Sequence, residues 1–304
     1  MVAFLNSLPG ATAQGIVWGI MAIGVFITYK ILDVADLTVD GSFGTGGAVL
    51  VACMTSGVSL PVSMVLAFLA GCLAGLVTGV FHTQFGIPAI LAGILTQLAL
   101  YSINLRILGG ANLTLSSRNY NLLITLGKIS KSLVVLGIAS VILIAILYWF
   151  FGTELGHSLR ATGNNQSMAR ANGINTDIAK ILGIVISNGI VALSGAFLSQ
   201  WQGFADINMG KGAIVIGLAA VIIGEVLLGK LFKNFALKLV AVICGGIIYY
   251  VVITLVLRMG LNANDLKLLT ALVVAIFLAV PYWRRNWQEK RIKPVKEVEE
   301  NAAN

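Results

Sequence analysis

Residues 59–83 read SLPVSMVLAFLAGCLAGLVTGVFHT, 25 residues without a single Asp, Glu, Lys or Arg. An uncharged run of this length crosses a bilayer as a helix, because about 20 residues at ~1.5 Å rise each cover the ~30 Å hydrocarbon core. Within the run, Gly71, Gly75 and Gly79 recur every four residues. They share one helix face and offer a seam along which a second helix can approach closely.

Comparable apolar runs lie on both sides, at about 13–31, 42–57, 88–108, 131–151, 177–200, 212–229, 235–257 and 266–283, which makes nine in all. The expected fold class is all-α: a polytopic transmembrane bundle of about nine spans, or ten if 119–130 adds an interfacial helix. Composition agrees. The 304 residues are 58% hydrophobic and 11% charged, with a mean hydropathy of +0.94, against about 25% charged residues in a soluble domain. A soluble enzyme, a disordered chain and a nucleic-acid binder are therefore excluded. Continuous runs, rather than alternating ten-residue segments, exclude an outer-membrane barrel. The opening MVAFLNSLPG has no basic residue, so a spanning first helix is expected in place of a cleaved signal peptide. Cys53, Cys72 and Cys244 all fall inside apolar runs without metal spacing, and are expected to pack as small apolar groups.

Net charge is +8. The tail after the last run carries Arg284, Arg285, Lys290, Arg291, Lys293 and Lys296. Placing it in the cytosol puts 13 of the 20 basic residues on that side by alternation and 7 outside, as the positive-inside rule asks. The N-terminus then lies outside, and 152–176 becomes a cytosolic loop. One transmembrane domain over 1–283 and a basic cytosolic tail over 284–304 are expected.

Two segments look like copies. Ala35-Asp36-Leu37-Thr38-Val39-Asp40-Gly41 precedes the second run, and Ala205-Asp206-Ile207-Asn208-Met209-Gly210 precedes the seventh. Five spans separate them, so the copies are expected to face opposite sides of the membrane, the mark of an inverted internal repeat.

Chemistry-bearing patterns are sparse. Lys211 follows Gly210, but the G-x-x-x-x-G-K-S/T spacing of a nucleotide loop is absent, as are H-E-x-x-H and G-x-S-x-G. No catalytic residue, metal site or cofactor is expected in the chain. If the chain moves a solute uphill, the energy must come from an ion gradient or another subunit. Gln97, Tyr101 and Asn104 stand at i, i+4 and i+7 of the fourth run, on one face. They suit either brief hydrogen bonding to a passing polar solute or interhelical contact. Asp40, Ser42 and Thr45 sit among Gly41, Gly44, Gly46 and Gly47, a density that favours a broken or closely approached helix lining a path. Glu225 is the residue most like an intramembrane charge, and is expected to snorkel toward Lys230 or the cytosol. Ser187, Asn188, Ser194 and Ser199, with Gly189 and Gly195, read as helix-packing contacts.

The loop GTELGHSLRATGNNQSMARANGIN, 152–175, is long for a helix connection. Asn164 and Asn165 suit helix caps, 166–172 a short surface helix, and Gly173 a stop, with Met168 and Ala169 as an apolar face for a partner.

That loop resembles the permease subunits of ATP-binding-cassette importers of the branched-chain amino-acid and ribose-type family. Gly156, Arg160, Ala161, Gly163, Asn165, Ala169, Arg170, Gly173, Ile174 and Asn175 fill the family's G-x-x-x-R-A-x-G-x-N-x-x-x-A-R-x-x-G-I-N pattern. The segments 36–42, 85–88, 108–110, 192–196 and 219–224 are similar to further family signatures. At 224–225 a Gly-Glu pair replaces the family's Gly-Gly. The resemblance implies a type II-importer-like bundle in the bacterial inner membrane, paired with a second permease subunit, most simply as a homodimer. It implies a cytosolic ABC ATPase dimer that binds ATP and Mg2+ and grips Arg160, Ala161, Gly163, Asn165, Ala169, Arg170 and Gly173, and an extracytoplasmic substrate-binding protein. The lipid bilayer is the remaining partner. An amino acid is the first expected solute, a sugar or nucleoside the second. An ion-coupled secondary transporter using Asp40 or Glu225 is the rival from another class.

Overall fold

In a computed structural model of the chain, the residues described are 7–116, 120–229, 232, 234–258 and isolated positions between 268 and 279. The run expected at 266–283, apart from those positions, and the tail at 284–304 lie outside the described residues.

Helix α1, Leu8–Phe26, has Pro9 in its first turn and runs on into a π-turn at Ile27–Ile31. Proline is suited to that start, where its missing N–H would have no intrahelical partner. α2 spans Thr38–Thr55, α3 Leu60–Thr83 and α4 Ala89–Leu108. A short strand β1, Asn112–Thr114, follows, then a single 3-10 turn at Leu126–Lys128 and α5, Ile129–Phe151. The interfacial helix expected at 119–130 is reduced to that turn among the described residues. Two short helices come next, α6 at Glu154–Asn164 and α7 at Gln166–Ala171. α8, Thr176–Gln202, is followed by β2, Phe204–Asp206, then α9, Ala213–Leu228, and α10, Phe235–Arg258. β1 and β2 pair antiparallel, with Leu113 opposite Ala205.

Among the described residues, six helical segments are long and apolar enough to cross a membrane: Leu8–Ile31, Leu60–Thr83, Ala89–Leu108, Leu126–Phe151, Thr176–Gln202 and Phe235–Leu257. α9, with 16 residues, is too short to count among them. α2 is too polar along its glycine-rich first half. The outward faces of α3, α4 and α5 are apolar, with Leu73, Leu98 and Val141 exposed. Such a face suits lipid or a second subunit rather than water.

The core forms where α1 and α8 pack antiparallel. Ser187 Oγ donates to the Gly24 carbonyl at 2.8 Å and Ser194 Oγ to the Val17 carbonyl at 2.7 Å. Each is a modest hydrogen bond, ~0.6 kcal/mol on average between membrane helices. The Gly71, Gly75, Gly79 face lies against Asn188, Ile184 and Ile181 of α8, so close that a methyl at Gly75 would meet the Ile184 carbonyl at 2.6 Å. The expected seam thus joins α3 to α8.

The sharpest departure from the expected arrangement is the depth at which α2 and α9 begin. α8 is 27 residues, about 40 Å, long. Asn188 lies near its middle, and it is Asn188 that receives the start of α2. Its Oδ1 accepts from Ser42 Oγ at 2.6 Å, and its Nδ2 donates to the Asp36 carboxylate at 2.7 Å. After the π-turn, the chain therefore folds back along 33–37 and starts α2 halfway along the bundle. α9 starts at the same level, because the Gly212 and Ile214 N–H groups both donate to the Asp40 carboxylate at 2.9 Å. The two copies follow the C-terminal ends of the antiparallel α1 and α8, run inward from opposite ends of the bundle, and meet in its interior. Both are re-entrant segments ahead of shortened helices, which is why α2 and α9 begin inside the bundle.

Candidate solute cavity and cytosolic loop

Each copy uses the same local device. Asp36 Oδ1 accepts the Thr38 N–H at 2.9 Å, and Asp206 Oδ1 accepts the Asn208 N–H at 2.7 Å. An aspartate bonding the backbone two residues on folds the chain into a turn before the helix. At the junction, Gly210 lies against the Asp40 carbonyl, where a methyl would collide. Asp40 also places a carboxylate at the N-terminus of α9, where the helix dipole favours negative charge.

Beside this junction is a cavity of about 280 Å3 lined by Asp40, Gly41, Gln97, Leu98, Tyr101, Asn104, Ile207 and Lys211. Small-molecule sites begin at roughly this size. Asn104 is buried, and its Oδ1 has no hydrogen-bond partner. An orphaned buried acceptor costs about 1–3 kcal/mol, which a donor on a bound molecule would recover. The Lys211 ammonium stands 5.6 Å from the Tyr101 ring centroid. One end of the cavity thus carries a cation on an aromatic ring, another carries amide groups, and Leu98 and Ile207 supply apolar wall.

Of the residues singled out from sequence, the structure brings Asp40, Gln97, Tyr101 and Asn104 together here. Ser42 and Thr45 lie elsewhere: Ser42 is tied to Asn188, and Thr45 Oγ1 donates back to the Gly41 carbonyl at 2.9 Å. Glu225 is half exposed and pairs with Lys30 at 2.9 Å across α9 and α1, which makes it a surface ion pair. Lys211 was missed as a wall residue because it reads as a loop charge. Asp36 was missed because only the fold brings it to Asn188. A hydroxyl chain also escaped notice, Thr38 to Thr78 at 2.7 Å and Thr78 to Thr96 at 2.9 Å, which joins α2, α3 and α4.

At the far end of the bundle, 152–175 folds as α6 and α7. Thr153 caps α6 through the Gly156 N–H, and Asn165 caps α7 by accepting from the Met168 N–H at 3.0 Å. Gly173 takes a positive φ of 79° after α7, which a residue with a Cβ adopts poorly. α6 was not foreseen, because its few apolar residues do not form a run. Leu159 alone anchors it in the core. Ala169 is buried, so it does not form the outward face expected of it, whereas Met168 and Leu155 are exposed. Arg170 is exposed and donates to Thr176 Oγ1 at 2.8 Å and to Asp177 at 3.4 Å across the turn into α8. The Gly163 Cα packs against the Ile31 carbonyl and leaves no room for a side chain. Ala161 is partly buried, and Arg160 faces α10 instead of the outside, 4.4 Å from the Phe235 ring centroid.

Residues 8–280 match the family model described as "Branched-chain amino acid transport system / permease component". The chain is 42% identical to the "Tyrosine transport system permease protein" of Clostridioides difficile (strain R20291), over 90% of this chain and 91% of that one. It is 33% identical to "Uncharacterized protein RP368" of Rickettsia prowazekii (strain Madrid E), over 90% and 98%. It is 31% identical to the "Autoinducer 2 import system permease protein LsrC" of Escherichia coli (strain K12 / DH10B), over 63% of this chain and 56% of that one. Among solved structures, "PsaBC from Streptococcus pneumoniae in complex with Fab" matches with a TM-score of 0.52 and 16% identity, over 92% of this chain and 95% of that one; this likeness is one of fold.

Proposed function

The chain belongs to the branched-chain amino acid transport system permease family, a multi-pass permease subunit of an ABC importer in the bacterial inner membrane, and we propose that its solute is an amino acid that passes through the cavity beside Asp40. The observation that carries this reading is the orphaned Asn104 Oδ1 in a cavity that also presents Lys211, Gln97 and Tyr101. A zwitterion fits this pattern. Its carboxylate faces Lys211, its ammonium donates to Asn104, and its side chain lies on Leu98 and Tyr101. The 42% identity to a tyrosine permease makes tyrosine the first solute to test. A sugar or nucleoside would leave Lys211 without an anionic partner.

Nine membrane-embedded runs related by an inverted repeat, with α2 and α9 as re-entrant half-spans, describe the chain best. The repeat is supported by the matched aspartate turns at Asp36 and Asp206 and by the meeting of α2 and α9 at mid-depth, and broken helices of this kind mark transporter binding sites. The exposed cavity mouth along α4 fits a path shared between two copies of the chain. ATP and Mg2+ bind to the separate ATPase dimer, and an extracytoplasmic binding protein delivers the solute. The ATPase docks on α6 and α7 through exposed Leu155 and Met168. Asn165, Arg170 and Gly173 are exposed and belong to the same surface. Ala161, Gly163 and Ala169 seat it on the bundle, so a push on α7 reaches the start of α8 and the Ile31 turn of α1. Glu225, exposed and paired with Lys30, lacks the burial that an ion-coupled carrier needs.

Proteoliposomes holding the chain, its ATPase and its binding protein test the reading. ATP-dependent tyrosine accumulation that falls tenfold or more in Asn104→Leu is expected. Accumulation without ATPase, driven by an ion gradient alone, would overturn it.

A further inference from the structure

A second recess, of about 670 Å3, opens where the end of α1, α6 and the start of α10 meet. Among the described residues, Lys30, Arg160 and Lys238 line it together with one carboxylate, that of Asp33. Lys30 is already neutralised by Glu225 at 2.9 Å. Arg160 and Lys238 have neither an ion pair nor a side-chain hydrogen bond among the described residues, and Asp33 reaches neither of them within ion-pair distance. A net positive charge is therefore left in the recess without a counter-ion among the described residues.

Arg160 is also held in place. Its guanidinium lies 4.4 Å from the Phe235 ring centroid and 5.3 Å from that of Phe151. Desolvation by these neighbours pulls its pKa below the ordinary arginine value, although arginine stays charged at any physiological pH. Rings packed against a guanidinium do not use its N–H groups, which lie in its own plane. Five donors are thus kept ready for an acceptor, in a fork that matches two oxygens of one phosphate.

The location decides the source of that phosphate. Tyr29 and Lys30 are exposed at the end of a spanning helix, and Lys238 is exposed in the first turn of another. Aromatic and basic residues at helix ends mark the headgroup level of a bilayer. Phe26 and Phe235 give the recess apolar walls on which a glycerol backbone and the first acyl carbons can lie. The volume exceeds what a bare phosphate ion fills. Basic pockets between spanning helices on the cytosolic side are suited to anionic headgroups. We infer that this recess binds the phosphate of an anionic phospholipid such as phosphatidylglycerol, with Arg160 and Lys238 as its ligands and Phe26 and Phe235 against its glycerol end. The lipid would bridge α1, α6 and α10, and so link the ATPase-facing helices to the spans.

The test uses the full chain in nanodiscs of phosphatidylcholine mixed with a minority of phosphatidylglycerol, with native mass spectrometry reading the lipid retained. Selective retention of phosphatidylglycerol is expected, falling about fivefold in Lys238→Gln and at least as far in Arg160→Gln. Arg160→Lys keeps the charge but not the fork, guards against misfolding, and is expected to fall between wild type and Arg160→Gln. Lys131→Gln, at the opposite end of the bundle, is expected to change nothing. Equal retention in wild type, Lys238→Gln and Arg160→Lys would overturn the proposal, as would an equal loss in Lys131→Gln. In phosphatidylcholine-only discs, inorganic phosphate is expected to show no Arg160-dependent binding. Saturable binding there would identify the site as one for a free anion and overturn the lipid assignment.

Discussion

Replacing Asp40 by Asn probes the junction on which the solute path is built. The Asp40 carboxylate accepts two backbone N–H bonds of 2.9 Å from Gly212 and Ile214, at the first turn of α9. An Asn amide has one oxygen and can satisfy only one of them, while its NH2 group faces the other donor. Losing one hydrogen bond to a charged acceptor costs about 1.5–3 kcal/mol. Removing the negative charge from the helix N-terminus adds about 0.3–1 kcal/mol. The sum, about 2–4 kcal/mol, exceeds what an exposed ion pair such as Lys30–Glu225 contributes, about 0–1 kcal/mol. Thermal unfolding of the purified chain in one detergent should therefore rank Asp40→Asn below Glu225→Gln, by roughly 2–6 °C. Hydrogen exchange should show faster opening of residues 210–216 with α8 unchanged. An Asp40→Asn protein that melts within about 1 °C of wild type would refute the claim that this carboxylate joins the two halves.

Other outcomes follow from the same contacts. Glu225→Gln is expected to leave ATP-driven uptake within about twofold of wild type, since an exposed pair is worth about 1 kcal/mol at most; loss of uptake would revive an ion-coupled route. Gly75→Leu forces a side chain into the Ile184 carbonyl and should abolish folded protein in size-exclusion chromatography, whereas Leu73→Ala on the exposed face of the same helix should not. Met168→Asp should leave the melting temperature unchanged and uncouple the ATPase, read as ATP hydrolysis that no longer responds to solute-loaded binding protein. Asn165→Ala removes the α7 cap, about 1 kcal/mol, and should raise amide exchange across 166–171 without altering α8.

Much of this was legible because membrane helices write themselves as uncharged runs. The seam at Gly71, Gly75 and Gly79 and the caps at Asn165 and Gly173 follow from local chemistry, and the structure has each of them. The paired aspartate motifs at Asp36 and Asp206 were also visible, but their meeting was not. Counting spans treats every apolar run as crossing from surface to surface, and nothing local reveals that α2 and α9 start at mid-depth. That depth is set by Asn188, a residue that reads as ordinary helix-packing polarity until the fold brings Asp36 and Ser42 to it. The cavity was half legible. Gln97, Tyr101 and Asn104 share a face by periodicity alone, whereas Lys211 reaches them only through the re-entrant segment. The loop showed the reverse weakness. Its pattern singled out Arg160, Gly163 and Ala169, and these turn out to face the bundle; Met168, expected as an apolar contact for a partner, is exposed, while the exposed Leu155 carries no pattern.

Solute passage beside Asp40 is tested most directly by blocking the cavity. In a chain with Cys53, Cys72 and Cys244 replaced by Ala, Tyr101→Cys is assembled with the ATPase and binding protein in proteoliposomes and treated with a bulky thiol reagent. The account predicts that labelling cuts ATP-driven tyrosine uptake at least tenfold, while labelling Val141→Cys on the exposed face of α5 leaves it intact. Undiminished uptake through fully labelled Tyr101→Cys would contradict it.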